Sequence, residues 1–310
     1  MQKSKNFSMK IKYSIFVVIA IIATFVYSCN SSKNNTENTD SSNDQDTSIF
    51  YTAKSHSKKV KKIFYTIPSP IELNKLLKKA GVIFDKSVMN PLSNDEHYLT
   101  IQKLAMNMGT YGTDVSYARI MDQIQISLDY IIVLKKISDK LGVPEEETKD
   151  IFERLEANIN NRDSVLQLIS QTYGNADSYF KDNDQGDIAA LIIMGGWVEG
   201  MYIALNIAES AKDKDLIYRR IAEQKMSISN LVDLLKSYPN DTLLVKYTGD
   251  LEELRTEFDK INIVYKQKEI KTDTANHLTV ISGESTVSIN QEQLGKIKDL
   301  VTRIRENIIK

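Results

Sequence analysis

Two stretches of this chain combine glycine, aromatic and acidic residues in helix-like surroundings: Gly109-Thr-Tyr-Gly-Thr-Asp-Val-Ser-Tyr-Ala118 and Gly195-Gly-Trp-Val-Glu-Gly-Met-Tyr202. If the two segments are neighbours, Asp114 and Glu199 face each other, with Tyr111, Tyr117 and Arg119 close by. Two carboxylates in an apolar site push one pKa upward, which is the raw material of acid/base chemistry. The same residues suit a small-ligand pocket lined by Asp114, Tyr117, Arg119, Trp197, Glu199 and Tyr202, since glycines leave room beside the rings. A third outcome is more ordinary: buried carboxylates usually end in a satisfied polar core, bonded to Tyr, Arg or a helix N-terminus. The polar core ranks first, the pocket second and catalysis third, because no motif supplies a nucleophile or a metal. Glycine costs about 1 kcal/mol against alanine inside a helix, so Gly195, Gly196 and Gly200 in one run need a reason. Close approach of a neighbouring helix, covered by Trp197, is the first candidate.

Other chemistries find no residues to carry them. His56, His97 and His277 lie far apart and show no metal-ligand spacing. Serine-hydrolase, phosphate-loop and zinc-protease motifs do not occur. Asn183-Asp-Gln-Gly186 has the polarity of a loop but not the alternating ligands and closing glutamate of a calcium site. The sequence therefore assigns no catalytic residue, no metal and no cofactor.

Cys29 is the sole cysteine, so no intramolecular disulfide can form. It follows four lysines (Lys3, Lys5, Lys10, Lys12), an apolar run from Ile15 to Val26, and the small residue Ser28. This arrangement resembles the lipobox of bacterial lipoproteins. The resemblance implies that residues 1–28 are a signal peptide and that the Cys29 thiol is acylated, with palmitate-type chains holding the protein to a membrane. The apolar segment Tyr13 to Tyr27 has 15 residues, short of the roughly 20 a spanning helix needs. More than one acyl chain is required for stable anchoring, which a multiply acylated cysteine satisfies. Lipoproteins sorted to the cell surface often carry acidic residues just after the cysteine, whereas Asn30-Ser-Ser-Lys33-Asn-Asn has none. The expected place is therefore the bacterial cell envelope, at the outer membrane, with a periplasm-facing folded part ranked ahead of surface exposure.

After removal of the signal peptide, 36 basic face 41 acidic side chains, a formal charge of about −5. That balance offers nothing to nucleic acid. Residues 29–62 are low in apolar side chains and read as a disordered tether, with a span of about 30 Å on random-coil scaling. Residues 63–265 read as an all-α, antiparallel multi-helix bundle, and residues 266–310 as a small β-hairpin followed by a terminal helix.

Ser69-Pro70-Ile71-Glu72 carries three agreeing helix-start signals, and Gly81 closes that helix. A second helix is expected over Asp95 to Met108 with Leu99 inward, broken at Gly109–Gly112. A long helix from Thr113 or Asp114 to Leu141, with Ile132 among its apolar positions, follows. Gly142-Val-Pro144 separates it from a helix opening on Glu145 to Glu147, and another starts at Asp163 or Ser164. Ile188 to Ala211 is the most apolar stretch and the expected centre of the bundle. Asp215 to Ser237 and Asp241 to Tyr265 form a final pair around Tyr238-Pro-Asn240. Leu278–Ile281 and Thr286–Ile289 are expected to pair across Gly283. Asn290 and Gln293 cap a last helix, whose Leu294, Ile297, Val301, Ile304 and Ile308 form a short heptad seam. Packing on its own bundle is the first reading of that seam and self-association the second.

The two glycine-aromatic stretches, with Ile67-Pro-Ser-Pro70, resemble segments of a group of helical lipoproteins of Bacteroidota, over roughly Phe64 to Ser210. That resemblance implies a lipid-anchored helical protein and brings no catalytic residues. The expected activity is binding or scaffolding, with an envelope protein or a small ligand as partner. The alternative is an enzyme with a carboxylate-based site around Asp114 and Glu199.

Overall fold

Backbone groups at helix ends, rather than propensity alone, explain where this chain turns. The computed structural model describes residues 76–265, 269–273, 278–282 and 285–310. Cys29, the tether, the helix start at Ser69-Pro70, and Gly283 lie outside them. The helical turn 76–79 ends at Gly81, whose φ of +66° is left-handed. There Val82 N–H reaches Leu77 O at 3.1 Å and Gly81 N–H reaches Lys78 O at 3.1 Å, the paired bonds of a Schellman end. Short 3-10 turns follow at Lys86–Val88 and Leu92–His97.

The helices proper are α1 Ile101–Ile120, α2 Ile124–Lys140, α3 Glu145–Ala157, α4 Arg162–Asp182, α5 Gly186–Ile207, α6 Lys214–Ala222, α7 Lys225–Leu235, α8 Thr242–Asp259 and α9 Gln291–Ile309. Caps agree with sequence signals at several starts. Asp241 accepts from Leu243 and Leu244 N–H at 2.8 and 2.9 Å to begin α8. Asn290 and Gln293 form a reciprocal capping box on α9. Gly142, with φ +76°, closes α2 as expected.

Several expectations are overturned. Helix α1 runs unbroken through Gly109–Gly112, and the break falls at residues 121–123, where Asp122 takes φ +61°. Residues 92–97 are a 3-10 turn, which leaves Leu99 85% exposed, and Ile132 is 56% exposed on α2. The stretch Asp215 to Ser237 is two helices, α6 and α7, rather than one. Residues Asn262–Tyr265 are a strand, β1, and not the end of α8.

The remaining strands are β2 Glu269–Asp273, β3 Leu278–Ser282 and β4 Ser285–Ser288. The pairing expected between the last two does not occur: β3 pairs antiparallel with β2, and β4 with β1. Asn262 sits opposite Ser288 and Glu269 opposite Ser282. The fold is otherwise mostly helical.

The principal contact is α1 on α5, and it is made possible by two glycines. A Cβ at Gly109 would stand 2.0 Å from Ile192 O and 2.6 Å from Gly196 N; one at Gly195 would stand 2.0 Å from Met106 O. Backbone therefore lies on backbone in both directions. Gly200 is different, since a Cβ there would meet only Thr113 Cγ2 at 3.8 Å. Around this pair α2 packs on α1, α4 and α9 each on both, and α8 on α9. Helix α5 with its 3-10 extension (Gly186–Ser210) has the length and composition of a membrane span, yet 78% of its apolar window is buried inside the protein. It is the core helix. Each large apolar side chain wholly buried there, such as Leu191 or Val198, contributes about 1.5–3 kcal/mol.

Candidate functional site

The α1–α5 contact brings Asp114 and Glu199 together, and α9 adds a third charged group, Arg305. All three are buried, at 0%, 1% and 6% exposure. Arg305 donates from Nε to Glu199 Oε2 at 2.6 Å and from Nη2 to Glu199 Oε1 at 2.8 Å, a two-pronged fork on the carboxylate. Its Nη2 also donates to Val88 O at 3.2 Å, and the guanidinium lies 3.9 Å over the Tyr202 ring. The last contact is a cation–π stack, stronger where water is excluded. Asp114 Oδ2 accepts from Asn90 N–H at 3.1 Å.

One carboxyl oxygen, Asp114 Oδ1, has no hydrogen-bond partner among the described residues, and the Glu199 charge acts on this buried carboxyl. Two neighbouring carboxylates in a dry core disfavour each other's charge. Burial raises the pKa of Asp114 well above 3.8, and the Glu199 charge adds to the rise. Burial also raises Glu199, but the Arg305 hydrogen bond and charge oppose that rise, as does the bond from Asp114. Of the two, Asp114 is therefore the group pushed furthest toward its neutral form. Burial disfavours the Arg305 charge, yet the Glu199 bond and charge outweigh it and raise its pKa. With neutral Asp114, anionic Glu199 and cationic Arg305, the site is uncharged as a whole. That is the condition for keeping such groups in a core.

Neutral polar groups continue the network away from the carboxyls. Asn90 Nδ2 donates to Tyr98 Oη at 3.0 Å and to Asn107 Oδ1 at 3.2 Å, while Asn90 O accepts from Tyr130 Oη at 2.8 Å. Tyr111 Oη donates to Pro91 O at 2.8 Å. Burial raises the pKa of Tyr98, Tyr111 and Tyr130, so these phenols stay protonated donors. Side chains from elsewhere also satisfy the last carbonyls of α9. Lys103 Nζ reaches Asn307 O at 2.6 Å, Asn107 Nδ2 reaches Ile308 O at 3.0 Å, Tyr98 Oη reaches Ile309 O at 3.2 Å, and Tyr247 Oη reaches Asn307 O at 3.2 Å. A helix end buried without such partners would be costly.

Of the residues expected to line one pocket, Asp114, Glu199 and Tyr202 meet. Tyr117 is buried next to the network but its hydroxyl accepts from Asp85 N–H at 3.1 Å and its ring stacks on Phe84. Trp197 packs edge-on against Phe258 of α8, with centroids 6.5 Å apart. Arg119 lies toward the end of α1, where its charged neighbours are Asp122 and Arg162. Arg305, Asn90 and Asn107 were missed. For Arg305 a signal existed: it falls four residues after Val301 and three before Ile308, on the widened apolar face that a core-facing helix buries. Asn90 had none, because its role comes from a loop folded across α1.

Comparison with protein-family models, with curated proteins and with solved structures finds no match to this chain. The class the fold and site define is thus physical: a helical core protein stitched internally by a neutral carboxyl, carboxylate and guanidinium cluster.

Proposed function

We propose that this is a lipid-anchored protein of the bacterial cell envelope, attached through an acylated Cys29 to the outer membrane and facing the periplasm. Its helical bundle acts by binding or scaffolding rather than by turnover. One observation carries the second statement: Glu199 and Arg305 pair with each other in a two-pronged fork, and both lie with Asp114 in a buried core. A substrate would have no path to the proton on Asp114, so the carboxylate-based enzyme is the weaker reading. Short connections between successive helices suit an antiparallel bundle, with the C-terminal strands as a hairpin-like appendage. The partner surface then belongs to the outside of the bundle. The seam of α9 is taken up by its own core, since Ile297, Val301 and Ile304 are each 0% exposed. That favours an envelope protein or small ligand over self-association through this helix.

Metabolic labelling with an alkyne analogue of palmitate in a diderm bacterium tests the anchor. The full chain should take the label and sediment with membranes, and Cys29→Ser should lose both properties. Label retained by Cys29→Ser would sink the proposal.

A further inference from the structure

From Thr47 to Ile71 the sequence contains no acidic residue, and Lys54, Lys58, Lys59, Lys61 and Lys62 crowd the middle of that stretch. The same tetrapeptide stands on each side of them, Ile49-Phe-Tyr-Thr52 before and Ile63-Phe-Tyr-Thr66 after. Clustered lysines attract anionic headgroups, and aromatic rings with a polar edge favour the boundary between lipid and water.

The described fold carries the same charge where the chain enters it. The turn 76–79 presents Lys78 and Lys79, both exposed. Just after it, Ala80 O accepts from Lys212 N–H at 2.9 Å and from Asp213 N–H at 3.1 Å, which pins the entry of the chain against the start of α6. The Lys212 stem lies across Gly81, with Cγ and Cδ 3.0 Å from where a Cβ would stand. Carboxylates at this corner are already engaged. Asp122 is shared by Lys78 and Arg162, each at 3.5 Å, and Glu209 by Lys214 and Lys298, at 3.8 and 3.6 Å. Asp213 caps α6 by accepting from Leu216 N–H at 3.2 Å, and Asp215 lies in the first turn of that helix, where the dipole answers their charge. Lys79 and Lys212 are exposed and have no ion pair among the described residues.

We propose that the lysines of residues 54–62 and the corner of the bundle bearing Lys79 and Lys212 dock together on an anionic phospholipid surface. The proposal rests on the anchor at Cys29, which makes this second contact intramolecular and lets a weak attraction suffice. Such attraction fades beyond a Debye length of about 8 Å at physiological ionic strength. A docked bundle therefore lies on the membrane instead of standing off on a tether of about 30 Å.

Trp197 is the one tryptophan of the chain and is buried in α5, so energy transfer from it to a lipid with a dansyl headgroup reports how near the bundle lies to the surface. The full chain, purified from membranes, is returned to vesicles of phosphatidylcholine alone or with about one quarter phosphatidylglycerol. Transfer should be about twofold higher or more on the anionic vesicles and should return to the neutral level at about 0.5 M salt. Joint Lys58→Gln, Lys59→Gln, Lys61→Gln and Lys62→Gln should abolish the rise, and Lys79→Glu with Lys212→Glu should reduce it. Equal transfer on the two vesicles, a rise that persists in high salt, or a rise undiminished in either folded variant would each overturn the proposal. If a variant loses its helical circular dichroism, the lipid and salt comparisons on the unaltered chain decide. Flotation separates this contact from the anchor. A chain that floats with anionic but not neutral vesicles keeps the contact and refutes the anchor; one that floats with both and shows equal transfer does the reverse; one that floats with neither overturns both.

Discussion

Asp114 is the residue whose charge state organises this core. The folded protein holds a proton there that the unfolded chain releases near the ordinary carboxylate value of 3.8. The folded state therefore binds more protons. Stability conferred by the neutral carboxyl is fully present below that value and is lost as pH rises through the folded-state pKa; Glu199, also raised by burial, contributes with the same sign. Asp114→Asn retains the shape, removes the titration and keeps an oxygen to accept from Asn90 N–H. Denaturant unfolding from pH 5 to pH 9 should show wild type losing stability with pH and Asp114→Asn losing less. Parallel slopes would remove Asp114 as the titrating group. Glu199→Gln strips the Arg305 fork of its counter-charge, and we expect a loss of about 3–5 kcal/mol, read in the same experiment. At this scale the sequence was half legible. Asp114 and Glu199 announce themselves as acidic residues within apolar helical text, whereas their partner stands 106 residues from Glu199, and no local pattern can choose it.

At the scale of elements, glycine signals were legible in type and ambiguous in meaning. Gly81 and Gly142 stop helices because only a left-handed residue closes a Schellman end cheaply. Gly109 looks like the same punctuation, yet α1 continues through it, because burial against α5 outweighs the roughly 1 kcal/mol propensity loss. The break that does occur uses Asp122, and α4 ends with another left-handed aspartate, Asp184 at φ +58°. Aspartate gives a weaker sequence signal than glycine for this conformation. Contrasting substitutions separate the roles of the glycines. Gly195→Ala forces a methyl to within 2.0 Å of a carbonyl oxygen and should cost about 3 kcal/mol, at or above the usual range for overpacking. Gly200→Ala meets only open space and Thr113 Cγ2, and should stabilise by up to about 1 kcal/mol. Equal effects of the two changes would dismiss the close-packing account.

At the scale of the whole molecule, α9 joins the ends of the chain's described part into one core. Its apolar seam is buried, its Arg305 enters the polar network, and its last carbonyls are held by Lys103, Asn107, Tyr98 and Tyr247. Ile304→Glu should therefore unfold the protein, by about 4 kcal/mol or more, rather than separate a dimer. Circular dichroism with sedimentation velocity distinguishes these outcomes: a folded species of halved mass would restore the self-association reading. The sequence by itself determined the helical class, the cap of α9, the glycine stops and the core role of the apolar stretch that opens at Ile188. Each rests on residues close together in the chain, where period, caps and composition act locally. Only the tertiary structure decided that Gly109 and Gly195 press backbone on backbone, that Trp197 and Arg119 stand apart from Asp114, and that Arg305 neutralises Glu199. Those are choices among partners far apart in sequence, settled by which surfaces exclude water together and by the pairing of the buried Glu199 and Arg305 charges.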